Sequence, residues 1–303
     1  MQVSARMQNA SKSASLRPLR EAGKMRLGAP KKQWVIQPRD DRSAQLAKSL
    51  KVSPLLAQVL INRGIIDVQD AGIFLRPKLT ELIAPGQMPG IEAAVGRLKQ
   101  AINNKEKISV YGDYDVDGIT GVSILWQILT MLGAQVDYYI PHRIDEGYGL
   151  NEEAVQQLAK DGSKVLITVD CGITDFDSAK LAEQLGIELI VTDHHQPDTE
   201  LPKAVAIVHP ALEEVYPNQD SSGAMVAFKL AWAIADEFNK GTKLAPKLRE
   251  FMINATSLVA MGTVADVVPL RGENRVLTSY GLKALPECKL CLLYTSPSPR
   301  DRS

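Results

Sequence analysis

The chain of 303 residues is poor in several things that would each mark a function class. It has three cysteines, too few for a disulfide framework, which fits a reducing compartment such as the cytoplasm. Cys288 and Cys291 form one CxxC, but no second pair follows, so a structural zinc site is not expected. No apolar run approaches the roughly 18 residues of a membrane span, and no membrane partner is expected. Aromatics are only 5% of the chain, leaving little from which to build a base-stacking platform. Net charge is zero, so overall charge does not advertise a polyanionic partner, although a local groove or bound metal ions could still serve one. No GxGxxG follows the first strand pattern, which argues against a dinucleotide-binding protein.

Four regions differ in composition. Residues 1–32 hold eight basic residues against one acid, Glu21, and are rich in Ser and Ala. Such a segment is expected to be disordered. It also imitates an organelle transit peptide, so import is the expectation if residues 1–24 are translated; the favoured account is a start at Met25. Residues 33–105 are expected to be helical, with apolar spacing of three and four at Ala44–Leu50, Leu55–Arg63 and Ile91–Ile102. Residues 106–286 alternate β-rich runs with helical ones. The strands are expected at Ile108–Tyr111, Val136–Ile140, Val165–Val169, Leu189–Thr192 and Val205–Val208. The helices among and after them are expected at Gly121–Leu132, Asn151–Lys160, Phe176–Leu185, Gly223–Phe238 and Leu248–Met261, with another beginning near Val276. This alternation predicts an α/β fold with a doubly wound, mostly parallel sheet behind a small helical cap. Residues 287–303 carry no core pattern, and their end resembles translated adapter sequence.

Chemistry-bearing residues gather where the strands should end, the edge at which open parallel sheets hold ligands. Asp113, Asp115 and Asp117 follow the first strand. His142, Asp145 and Glu146 follow the second, Asp170 the third, and Asp193, His194 and His195 the fourth. Any one of these acids could be an ordinary helix cap. Together they would repel one another strongly unless a divalent cation joined them. Carboxylates with one or two imidazoles and no thiolate suit Mn²⁺ or Mg²⁺, and there are enough of them for two ions. Cys171 should point away and act as filler. Asp266, in an apolar run after a helix, reads as a buried carboxylate in need of a partner. Ser222 and the amides of Gly223 and Ala224, opening a helix, read as a phosphate site, with a plain Ser cap as the equal alternative.

The ordered motifs VYGDYDVDGITG, DEGYGL, ITVDCGI, VTDHH and MGTVADVVPL resemble those of the DHH phosphoesterase superfamily. Within it the chain is similar to the RecJ group of single-strand-specific 5′→3′ DNA exonucleases, across about residues 33–285. That resemblance implies a two-metal hydrolase acting on single-stranded DNA in repair and recombination, using two Mn²⁺ ions or Mg²⁺ in their place. It implies Asp115, Asp117, Asp170, His194 and Asp266 as metal ligands and His195, with Asp170, as catalytic. Asp113 and Asp193 would stand behind the ligands and orient them. Single-strand-binding proteins or helicases are the implied protein partners. Two rival readings are a phosphodiesterase of short oligonucleotides or cyclic dinucleotides and a non-catalytic replication scaffold. The chain departs from the group in reading HPA (His209, Pro210, Ala211) where NPN is usual, which puts that loop's polar contacts in doubt. The group's second cleft domain and nucleic-acid-binding barrel have no counterpart, so the chain is expected to bind Mn²⁺ yet degrade DNA poorly.

Overall fold

The computed structural model describes residues 35–290 except 214, 241 and 242. The basic extension at 1–32, Cys291 and the part of the expected tail at 291–303 lie outside the described residues, and the described residues from Asp41 onward form one compact unit. No helix among the described residues is long and apolar enough to cross a membrane.

Among the described residues, three short helices come first: α1 (Arg42–Leu50), α2 (Pro54–Asn62) and α3 (Val68–Leu75). Ser53 caps α2 by accepting from the Leu56 amide, and Pro54 occupies the first turn, where its missing N–H costs little. The helix α3 falls inside the stretch expected to be helical, but its own periodicity is too short to show. Its start is set by Asp67, whose carboxylate accepts from the amides of Gln69 and Asp70. The three helices bury a small core of Leu46, Ala47, Ala57, Leu60, Ile61, Ile65 and Ala71.

The helix α4 (Ile91–Asn104) then leads into the alternating part. Its order is β1 (Lys107–Gly112), α5 (Val116–Met131), β2 (Gln135–Tyr139), α6 (Glu152–Lys160), β3 (Val165–Val169), α7 (Phe176–Gln184), β4 (Glu188–Thr192) and β5 (Ala206–Val208). The five strands form one sheet in the order β2-β1-β3-β4-β5, and every neighbouring pair is parallel. This is the expected α/β architecture. Alternate strand residues serve opposite layers, as the pleat requires. Ile108, Val110, Val165, Ile167 and Val169 join α4, α5 and the later helices in one core, while Tyr111, Leu166, Leu189 and Val191 join α6 and α7 in the other.

Three helices complete the fold: α8 (Gly223–Phe238), α9 (Pro246–Ala265) and α10 (Gly272–Ala284). The α8 sequence shows no polar stripe because it is buried along most of its length, Lys229 included. Lys229 donates to the Ile83 carbonyl and pairs with Glu273 of α10, which also accepts from the Ile83 amide and the Tyr216 hydroxyl. The cap is tied to α10 as well. The Arg275 guanidinium lies 4.1 Å from the Phe74 ring centroid and donates to the Phe74 carbonyl.

Several boundaries differ from expectation for a physical reason. The helix α5 begins at Val116 rather than Gly121, because the Asp115 side chain caps it. Gly118 obscures that first turn in the sequence, since glycine lowers the helical signal. It is needed there because a Cβ would sit 2.5 Å from the Asp113 carbonyl oxygen. The helix α9 runs past Met261 to Ala265, which makes Asp266 its C-cap, and α10 starts at Gly272 rather than near Val276.

Candidate metal centre

In the strand order β2-β1-β3-β4-β5 the chain leaves β1 for one side of the sheet and later fills the other from β3 outward. The crevice outside the carboxyl ends of β1 and β3 is therefore the switch point, where helices diverge and leave room for a ligand. Asp113, Asp115 and Asp117 arrive there from β1 and the start of α5, Asp170 from the end of β3, and Asp193, His194 and His195 from the end of β4. Asp266 reaches the same place from the far end of α9.

The start of α5 divides labour among its acids. Asp115 accepts from the amides of Asp117 and Gly118 through one oxygen, so it is both a helix cap and a member of the cluster. Asp117 is buried and accepts from the amides of Gly223 (2.5 Å) and Ala224 (3.0 Å) at the start of α8. This corrects the expected phosphate site. The α8 amides do not face solvent, because the Asp117 carboxylate already occupies them. Ser222 is buried and caps the helix through the Met225 amide, the plain alternative. Gly223 has a different use: a Cβ there would meet the Asp170 Cβ at 2.6 Å, so glycine lets α8 approach the carboxylate.

Asp170 has a backbone φ of 63°, a left-handed conformation uncommon outside glycine and characteristic of functional sites. Its Oδ1 lies 3.0 Å from His194 Nε2 as an ion pair, yet the angles are not those of a hydrogen bond and neither buried atom has a hydrogen-bond partner. His194 Nε2 is also 3.8 Å from oxygens of Asp117 and Asp266. Burial pushes the Asp170 carboxyl up to about 7 despite the pull of His194. Burial works against the charged form of His194, but Asp170, then Asp117 and Asp266, outweigh it and raise the imidazole to about 9. Three groups have ligand atoms within 4.8 Å of one another and could hold a metal ion: Asp170, His194 and His195; Asp117, His194 and Asp266; and Asp113, Asp115 and Asp170. Asp113 thus sits in the cluster itself rather than only behind it. Asp266 is partly exposed, with 26% of its side chain accessible, and not the buried carboxylate expected.

Behind this cluster stands Asp193, fully buried. It accepts from the amides of His194, His195 and Ile173 and meets His195 Nδ1 at 2.8 Å. Burial alone would raise its carboxyl pKa, but the His195 bond and the amides hold it below the usual range. That bond to Asp193 is in turn the main reason the His195 pKa is raised.

A model described as "DHH family, N-terminal domain" matches residues 107–263, just over half of the chain. The chain belongs to the DHH family. Among curated proteins it is 42% identical over 259 residues to the single-stranded-DNA-specific exonuclease RecJ of Bacillus subtilis, covering 85% of this chain and 31% of that protein. It is 36% identical to RecJ of Escherichia coli, over 81% of this chain and 42% of that one. A crystal structure of RecJ in complex with Mn²⁺ from Thermus thermophilus superposes with a TM-score of 0.69 at 34% identity, covering 84% of this chain and 35% of that one. A crystal structure of exonuclease RecJ bound to manganese gives 0.61 at 39% identity, covering 68% and 51%. The chain is RecJ-like, and it spans a third to a half of the length of these relatives.

Not every residue singled out in this DHH-family sequence reaches the centre. His142, Asp145 and Glu146 form a separate cluster after β2: His142 pairs with Asp145, and Glu146 accepts from the Tyr139 hydroxyl and the His142 amide. Cys171 is buried in the core on the α6–α7 side, the filler expected. Two contributors escape a reading of acids and histidines at strand ends. Tyr148 places its hydroxyl 3.1 Å from His195 Nδ1 and donates to the Asp170 carbonyl. An aromatic between two glycines, Gly147 and Gly149, was the available signal, and both glycines take positive φ in the structure. His209 is fully buried and meets the His195 carbonyl oxygen through Nε2 at 2.8 Å.

Proposed function

We propose that this chain carries the metal-binding side of the cleft of a single-strand-specific 5′→3′ DNA exonuclease, which hydrolyses phosphodiester bonds and releases 5′-mononucleotides. The observation that carries the reading is the pair of buried atoms without a hydrogen bond, Asp170 Oδ1 and His194 Nε2, set 3.0 Å apart with further carboxylates around them. Buried polar atoms are rarely left without a partner, and a divalent cation satisfies both at once. An oxygen-rich donor set with imidazole and no thiolate fits Mn²⁺ or Mg²⁺. The RecJ relatives whose structures hold Mn²⁺ support the same choice.

Asp115, Asp117, Asp170, His194 and Asp266 would hold two Mn²⁺ ions, with Mg²⁺ able to replace them. Such ions, when bound, acidify a coordinated water and neutralise charge on the phosphate. The protein's own groups do the positioning. The α8 amides fix the Asp117 carboxylate, and the strained backbone at β3 presents Asp170. His195 Nδ1 donates to the Asp193 carboxylate, which raises the imidazole pKa and favours the imidazolium form, in which Nε2 would hold a proton against a phosphate oxygen.

The test combines calorimetric Mn²⁺ titration with hydrolysis of 5′-phosphorylated single-stranded DNA, duplex DNA and dinucleotides. Mn²⁺ binding with slow mononucleotide release, faster from the single strand than from duplex or dinucleotides, is the expected result. Preference for dinucleotides would move the reading to a short-oligonucleotide phosphodiesterase. Metal binding without hydrolysis of any substrate would favour a scaffold.

A further inference from the structure

We infer that His209 is a positioning residue that holds the His194–His195 segment in place from behind the sheet edge. The inference deepens the hydrolytic reading proposed above and rests on it.

The problem His209 solves is visible in the topology. Residues 193–205 connect two adjacent parallel strands without a helix, and β5 is a three-residue strand at the sheet edge. A connection of that kind has little regular backbone bonding to keep it still. The segment carrying His194 and His195 is nonetheless tied to the end of β5 at two points. The Asp193 amide donates to the Val208 carbonyl (3.2 Å), and His209, the residue just past β5, meets the His195 carbonyl oxygen at 2.8 Å.

The protonation of that imidazole follows from its partners. The Ala211 backbone N–H can only donate, and it reaches His209 Nδ1 at 3.1 Å, so Nδ1 accepts. A carbonyl oxygen can only accept, so Nε2 carries the proton and donates to His195. Both ring nitrogens are therefore committed in a side chain that is 0% exposed. The ring cannot flip without leaving buried polar groups unpaired. His195 is consequently gripped at its carbonyl by His209 and at its amide and Nδ1 by Asp193, which leaves its ring little freedom to swing.

The test uses the full chain with His209→Gln and His209→Leu. Glutamine places an amide N–H near the Nε2 position and can restore the donor; leucine fills similar space and donates nothing. Imidazole ¹⁵N NMR of the metal-free wild-type chain should show His209 neutral with its proton on Nε2. Amide exchange at His195 should quicken by about tenfold in His209→Leu, and kcat on single-stranded DNA with Mn²⁺ should fall about 10- to 100-fold. KM should change by less than about twofold, and His209→Gln should recover most of the loss. A proton on Nδ1, wild-type exchange and kcat in His209→Leu, or equal losses in the two variants would overturn the inference. If His209→Leu does not fold, the wild-type tautomer and His209→Gln decide. A wild-type chain that hydrolyses nothing would sink the proposed function instead, while the tautomer and exchange readouts still judge the positioning role.

Discussion

Asp170 and His194 face each other across the ends of β3 and β4, with Oδ1 and Nε2 3.0 Å apart and neither atom in a hydrogen bond. The pair couples pH, metal and stability. Both groups have raised pKa values, to about 7 and about 9. A group whose pKa is higher folded than unfolded stabilises the fold below its unfolded value and loses that contribution as pH rises through its folded value. The metal-free chain should therefore lose melting temperature as pH rises from about 4 to about 9. Saturating Mn²⁺ should flatten this decline and release protons on binding near neutral pH, because the metal takes a carboxylate and a neutral imidazole. Calorimetric melting with chelator and with Mn²⁺, and titration in buffers of different ionisation heat, measure both effects. A metal-free melting temperature that climbs over this range would contradict the assignment.

Asp170→Ala should reduce Mn²⁺-dependent hydrolysis to background while leaving metal-free stability unchanged or higher. The substitution removes a buried carboxylate from among others, and in the absence of metal that carboxylate is a burden. Metal-free denaturation midpoints beside exonuclease rates check the pair of outcomes. A loss of more than about 2 kcal/mol without metal would mean that Asp170 serves mainly as a structural element.

Gly223→Ala tests the approach of α8 to the cluster. The new methyl would lie 2.6 Å from atoms of the Asp170 side chain, so either the helix or the carboxylate must move. Overpacking of this kind should cost about 1–3 kcal/mol in stability. Mn²⁺ affinity should fall as well, since Asp117 is held by the amides at the same helix start. Unchanged stability and affinity would show that α8 can retreat at no cost.

Lys229→Met should destabilise the chain by about 3–5 kcal/mol, because it leaves Glu273 charged and buried without its partner. The double variant Lys229→Met with Glu273→Leu should recover much of that loss, since a buried pair contributes little beyond its own desolvation. A double-mutant cycle by chemical denaturation measures the coupling. Additive losses would show that the pair acts independently and that the Tyr216 and Ile83 contacts to Glu273 dominate.

Strand–helix alternation after residue 107 and acids at successive strand ends are patterns of residue type along a line. The parallel sheet, the five strands and the gathering of Asp115, Asp117, Asp170 and His194 at one edge were legible in the sequence for that reason; Asp266, at the end of α9, was assigned to the site by the family resemblance alone. The use of the α8 N-terminus was not. Small polar residues and glycine before a helix are the same text whether the amides face a phosphate or a neighbouring carboxylate. The choice fell to Asp117, more than a hundred residues earlier in the chain. The start of α5 was hidden for a related reason, since Gly118 weakens local helical propensity while serving a tertiary close approach.

Sequence alone therefore determined which chemistry-bearing residues exist and at which end of the sheet they stand, because strand direction and side-chain type are local properties. Tertiary structure decided the rest: that Asp170 and His194 meet, that Asp193 is spent on amides and His195, and that His209 backs the loop instead of facing the cleft. Those outcomes depend on distances between segments far apart in the chain, and they are set only when helices and strands pack and each buried polar group finds its partner.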